Sequence, residues 1–100
     1  MADAWVYLLR CADGSLYTGW TNDLPKRLAA HAGGTASRYT RSRLPVALAL
    51  ALPQADRSSA MKEELRIKRL PRADKLALVA HAASIAAAER AVNRCERAEG

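Results

Sequence analysis

The chain contains no phenylalanine, only two cysteines, and no apolar run approaching the ~18 residues that a membrane-spanning helix needs. Cys11 and Cys95 lie too far apart to suggest a disulfide framework, so reduced thiols in a cytoplasmic protein are expected. The opening M-A-D-A-W lacks the basic start and long apolar segment of a secretory signal. Large apolar residues are scarcer than the 50% hydrophobic content suggests, because 22 of the 100 residues are alanine. The core must therefore come from Leu, Val, Ile, Met and Trp, and is enough for one modest domain but not two. Acidic residues are also missing where it matters: no carboxylate occurs from Leu24 through Ala55.

Against that deficit stand 16 basic residues, 12 of them arginine, and a net charge of +6. Arginine suits bidentate phosphate contact better than lysine does. The balance is compatible with a nucleic-acid partner, and equally with a coding bias that inflates both Ala and Arg.

Trp5 to Trp20, W-V-Y-L-L-R-C-A-D-G-S-L-Y-T-G-W, reads as two strands joined at Asp13-Gly14. A two-residue loop would pair Tyr7 with Trp20 and set Tyr7 and Tyr17 on opposite faces. A three-residue loop, Ala12-Asp13-Gly14 with Gly14 left-handed, closes Cys11 on Ser15 and pairs Tyr7 with Gly19. Both tyrosines then share a face. The second register is favoured because Gly14 stands where positive φ is needed.

Downstream, Thr21, Asn22 or Asp23 can cap a helix that has Pro25 in its first turn and ends at Gly33-Gly34. Leu24, Leu28 and Ala32 form its apolar stripe, with Arg27 and His31 on the shoulder. The segment T-A-S-R-Y-T-R-S-R-L is expected to be an electropositive loop. Arg38, Arg41 and Arg43 would follow phosphates there, and Tyr39 would offer a stacking surface. P-V-A-L-A-L-A-L-P alternates strictly, placing Val46, Leu48, Leu50 and Leu52 on one face of a third strand bounded by Pro45 and Pro53. A helix with Asp56 or Ser58 as cap then runs to Leu70, with Ala60, Met61, Leu65 and Ile67 buried. Glu64 and Lys68 fall inside that arc and Glu63 outside it. An inward carboxylate is costly unless paired or bound to a metal, and a Glu64–Lys68 pair four residues apart is the plain alternative. After Pro71, a further helix from about Arg72 carries Leu76, Leu78 and Val79 toward an alanine-rich tail, residues 84–100, helical to about Arg94.

V-Y-L in the first strand and L-Y-T-G in the second resemble the paired strands that name the GIY-YIG nuclease family, in its small single-domain bacterial branch, which is YhbQ-like. The match spans about Trp5 to Val79, and residues 1–83 are taken as the domain. The resemblance implies a small three-stranded antiparallel sheet flanked by α-helices, an α/β fold of the α+β kind. It also implies catalytic roles for Tyr7, Tyr17, Arg27, His31 and Glu64, and a role in DNA repair or processing. Trp20 departs from the polar residue that many members carry after Tyr-x-Gly, and no late asparagine appears near Asp74 to Leu76.

The chemistry of those side chains agrees. One carboxylate with open coordination, Glu64, suits Mg²⁺ or Mn²⁺. Arg27 offers fixed donors for the non-bridging phosphate oxygens. Tyr17 would hydrogen-bond the phosphate or the attacking water, and Lys68 would shield Glu64 or contact phosphate. For the base, His31 titrates near neutrality, whereas the resemblance implies Tyr7 as base or relay, and both remain open. The expected activity is a metal-dependent endonuclease acting on branched, flapped or weakly sequence-specific DNA. A non-catalytic nucleic-acid-binding module using the same basic surface is the alternative.

Overall fold

Asp13 and Gly14 set the geometry of the whole sheet. In the computed structural model, which describes residues 3–83, β1 (Ala4–Arg10) pairs antiparallel with β2 (Leu16–Thr21). The loop is the three-residue form. The Cys11 amide donates to the Ser15 carbonyl at 2.9 Å, and Gly14 takes φ +83°, a region that side chains penalise. Asp13 braces the turn by accepting the Ser15 amide and hydroxyl at 3.0 and 2.6 Å. Tyr7 accordingly faces Gly19 and Leu9 faces Tyr17, so both tyrosines share a face.

β3 (Ala47–Gln54) joins on the far side of β1, giving one antiparallel sheet in the order β2-β1-β3. Its leucines do not share one face. Leu8 pairs with Leu50 but Leu9 pairs with Leu48, so Ala49 is the extra residue of a bulge. A slip of one residue turns side chains to the opposite face. Leu50 is therefore buried while Leu48 is 46% exposed. Pro53 lies inside the strand instead of bounding it, which an edge strand tolerates.

Each of the first three helices begins at a side-chain cap. Asp23 accepts the Lys26 amide at the start of α1 (Leu24–Ala32), and Asp56 accepts the Ser59 amide at the start of α3 (Arg57–Lys68). Between them Ser37 caps α2 (Arg38–Arg41), one helical turn inside the stretch expected to be loop. A fourth helix, α4, covers residues 72–83. The continuation toward Arg94 expected of the tail lies outside the described residues.

Ala60 and Ile67 of α3 pack with Ala4, Val6, Leu8 and Leu50 on one face of the sheet. Leu70, Leu78, Val79 and Ala82 close over the same cluster. The other face carries Tyr7 and Tyr17 and is covered by α1 and α2. Two expected helical stripes are corrected here. On α3, Met61 and Leu65 are both 51% exposed, and the inward stripe is Ala60, Glu63, Glu64 and Ile67, the i, i+3, i+4, i+7 set. On α1, His31 is buried at the centre of the stripe and Ala32 is exposed. Contact with the sheet, not hydrophobicity along the helix, selects which arc turns inward.

Two arginines from distant segments clasp the hairpin turn. Arg43 pairs with Asp13 at 3.0 Å, and Arg72 of α4 donates to the Gly14 carbonyl at 2.8 Å. No helix among the described residues is long and apolar enough to cross a membrane.

Candidate active site

Gly19 matters because of what lies above it. A Cβ there would sit 2.6 Å from the Tyr7 hydroxyl oxygen and 2.7 Å from its ring carbon. The missing side chain lets the phenol lie across the strand, where its hydroxyl meets His31 Nε2 at 2.7 Å. His31 comes from the third turn of α1, brought over the sheet by the cap at Asp23. Its other nitrogen, Nδ1, lies 2.9 Å from Thr40 Oγ1 on α2.

The direction of this chain follows from its far end. Thr40 Oγ1 is 3.4 Å from the Ser37 carbonyl, an acceptor toward which its hydroxyl proton can turn. With the proton so placed, Oγ1 accepts from His31 Nδ1–H, Nε2 is left bare, and Tyr7 O–H donates to it. Burial, then the charge of Arg27, lowers the pKa of His31 below its ordinary value, so the imidazole is neutral at pH 7. Tyr7 is pushed well above the usual phenol range, by burial first and then by Tyr17 and Glu64, with Arg27 pulling the other way. The Tyr7 phenol thus holds its proton and passes it toward a neutral acceptor.

Those influences come from the other expected residues. The charge of Arg27 acts on both Tyr7 and His31, and that of Glu64 acts on Tyr7. Tyr17 packs at 6.4 Å from Tyr7 and 5.1 Å from His31, centroid to centroid. Tyr7, Tyr17 and His31 thus meet at one phenol, and the charges of Arg27 and Glu64 act on it. Tyr7 and His31 each expose 1% of their surface, while Arg27 is open to solvent.

Glu64 is mostly enclosed, its side chain 16% exposed, with Lys68 Nζ 3.3 Å from Oε1. Glu63 pairs with Arg66 instead. No group of three or more His, Cys, Asp or Glu side chains capable of caging a metal occurs among the described residues. A single carboxylate with one oxygen outside the Lys68 pair fits Mg²⁺, which binds through one or two carboxylates and retains its waters.

The basic stretch is more ordered than a solvated loop. Arg43 lies 3.8 Å above the Tyr39 ring while holding Asp13, and Tyr39 in turn stacks on Tyr17 at 5.8 Å. Tyr39 is thus engaged by protein partners, in place of the free stacking surface expected of it. Arg38 and Arg41 are exposed on α2, apart from the Tyr7–His31 pair. Sequence reasoning missed Thr40. A threonine between two arginines carries no signal of its own, and its partner is nine residues away on another helix.

Comparison with known proteins places the chain among relatives. A family model described as the GIY-YIG catalytic domain matches residues 3–77. A UPF0213 protein of Xanthomonas axonopodis pv. citri is 53% identical over 72 residues, covering 72% of this chain and 71% of that one. A UPF0213 protein of Halobacterium salinarum is 47% identical over 73 residues, covering 73% of this chain and 95% of that one. The solution NMR structure of a UPF0213 protein from Bacillus halodurans superposes with a TM-score of 0.52 at 40% identity, over 77% of this chain and 82% of that one.

Proposed function

The chain belongs to the GIY-YIG catalytic-domain family, a family of nucleases that act on DNA, and from that premise we propose that it is a Mg²⁺- or Mn²⁺-dependent endonuclease that hydrolyses one phosphodiester by attack of an activated water. The observation that carries this reading is the Tyr7–His31 hydrogen bond at 2.7 Å, with Thr40 at the other ring nitrogen.

Both ring nitrogens of His31 are occupied, so the imidazole has no free nitrogen for the attacking water. The Tyr7 oxygen, donating to Nε2, still has a lone pair. Tyr7 therefore takes the water's proton as it gives its own to His31, and the imidazolium forms against Thr40. A standing tyrosinate is not needed, which suits a phenol held above its usual pKa. Arg27 binds the non-bridging oxygens, and Tyr17 orients the phosphate or the water. Glu64 would hold the divalent ion, and Lys68 would restrain the carboxylate. When bound, that ion would neutralise charge on the phosphate and the leaving oxygen.

The enzyme would read backbone or branched shape in preference to base sequence, in a repair or processing role in the cytoplasm. The test is nicking of supercoiled plasmid and of branched and flapped duplexes with Mg²⁺, and again with EDTA. Wild type should nick only with the metal. Glu64→Ala and Tyr7→Phe should each lose at least about 100-fold in rate while still binding DNA. Nicking that survives Glu64→Ala refutes the metal role. Salt-sensitive binding without any cleavage by wild type favours the non-catalytic module instead.

A further inference from the structure

Arg27 has a second neighbour. Beside the reaction centre, a cleft of about 290 Å³ is lined by Trp20, Thr21, Asn22, Arg27 and Arg57. Trp20 and Thr21 end β2, Asn22 leads into α1, and Arg57 opens α3, so three elements converge on it. No carboxylate lines it. Among the described residues, neither the Arg27 nor the Arg57 guanidinium has an acidic partner within 4.0 Å, while Arg43 and Arg66 both do. Two like charges facing one small cavity repel each other, and the arrangement lowers its free energy by taking up an anion.

We propose that this cleft, resting on the nuclease reading above, is a second phosphate subsite. It would hold the backbone phosphate next to the one cleaved, with Arg57 serving that phosphate alone and Arg27 shared between the two. The chemistry favours a phosphodiester over a free carboxylate ligand. Two guanidiniums offer forked donors on two sides, Asn22 adds an amide, and the half-buried indole of Trp20 gives a sugar an apolar wall. Holding a neighbouring phosphate would fix the strand before the chemistry begins, so Arg57 is a positioning residue.

The experiment measures binding of a fluorescently labelled branched duplex by anisotropy, in EDTA, over a series of salt concentrations. Wild type is compared with Arg57→Gln and with Lys62→Gln, which removes the same charge from the exposed face of the same helix. Among the described residues neither the Arg57 nor the Lys62 side chain makes a hydrogen bond or ion pair, so both variants should melt as wild type does. One lost phosphate contact should reduce the slope of log K against log salt by about 0.7–0.9 in Arg57→Gln and leave Lys62→Gln unchanged. In cleavage assays with Mg²⁺, Arg57→Gln should raise KM several-fold while kcat stays within about threefold.

Equal slopes in wild type and Arg57→Gln, or equal losses in the two variants, overturn the subsite while leaving the nuclease reading intact. Absence of any salt-dependent binding by wild type removes both. A slope change confined to Arg57→Gln in a wild-type protein that never cleaves upholds the subsite and counts against the nuclease.

Discussion

Replacing Gly19 by alanine adds one methyl group at the tightest point of the site. The new Cβ would stand 2.6 Å from the Tyr7 oxygen and 3.2 Å from Tyr17 Cε1, whereas ordinary contact begins at 3.4 Å. The phenol must retreat by about 0.8 Å, the gap between 2.6 and 3.4 Å. A retreat of that size along the Tyr7–His31 bond stretches it from 2.7 Å to the limit of hydrogen bonding. Tyr7 is not the loose end of a flexible side chain. It is 1% exposed and packed against Tyr17 and His31, so the core must deform with it. Overpacking of this kind costs about 1–3 kcal/mol, and a buried hydroxyl and imidazole left poorly paired cost a similar amount. The melting temperature of a domain this size should then fall by about 10 °C or more. Nicking should fall further than stability alone explains. Gly14→Ala supplies the control, since nothing lies within 4 Å of its added Cβ and only its φ of +83° is strained. That variant should lose about 1–2 kcal/mol and keep the site's chemistry. Thermal melts by circular dichroism and plasmid nicking, run on both variants, decide the matter. A Gly19→Ala protein that melts within 2 °C of wild type and nicks normally would refute the reasoning about Tyr7.

Three further outcomes follow from the same hydrogen-bonded chain. Thr40→Val removes the acceptor for His31 Nδ1–H and should cost about 1–3 kcal/mol, with nicking reduced at least tenfold, while Thr40→Ser keeps the hydroxyl and restores most of the rate. Nitrogen-15 spectra of wild type should show His31 as a single tautomer protonated at Nδ1, and a mixture in wild type would undo the assigned direction. The pH dependence of stability has a definite sign. His31 has a lowered pKa in the fold, so below its ordinary ~6.5 the unfolded chain binds the proton more readily. Stability is therefore full above about pH 6.5 and declines as pH falls toward the folded value. Urea titrations that give a flat profile between pH 7.5 and 5 would contradict that. Asp13 and Asp56, whose pKa values are lowered chiefly by Ser15 and Ser59, add a second decline only in the carboxylate range.

Much of the site was legible because its first steps are local. The turn at Ala12-Asp13-Gly14 needs only its own backbone angles to choose the register, and the register alone places Tyr7 and Tyr17 on one face. Asp23 and Asp56 cap their helices through amides three residues away. Pro25 and the glycines after α1 mark its ends for equally local reasons. The period of two in β3 was also readable, but its bulge was not, since the slip between Leu8 and Leu9 reflects how two strands fit together.

What the amino-acid order determined by itself is whatever depends on covalent neighbours: turn geometry, helix starts, strand period and the stretch without acids. The tertiary structure alone decided the rest. It joined Thr40 to His31, committed Arg43 to an aspartate thirty positions back, left Met61 and Leu65 in solvent, and turned Arg27 and Arg57 toward one cleft. Each of those depends on which partner a side chain meets through space, and a helical or strand period does not encode the partner.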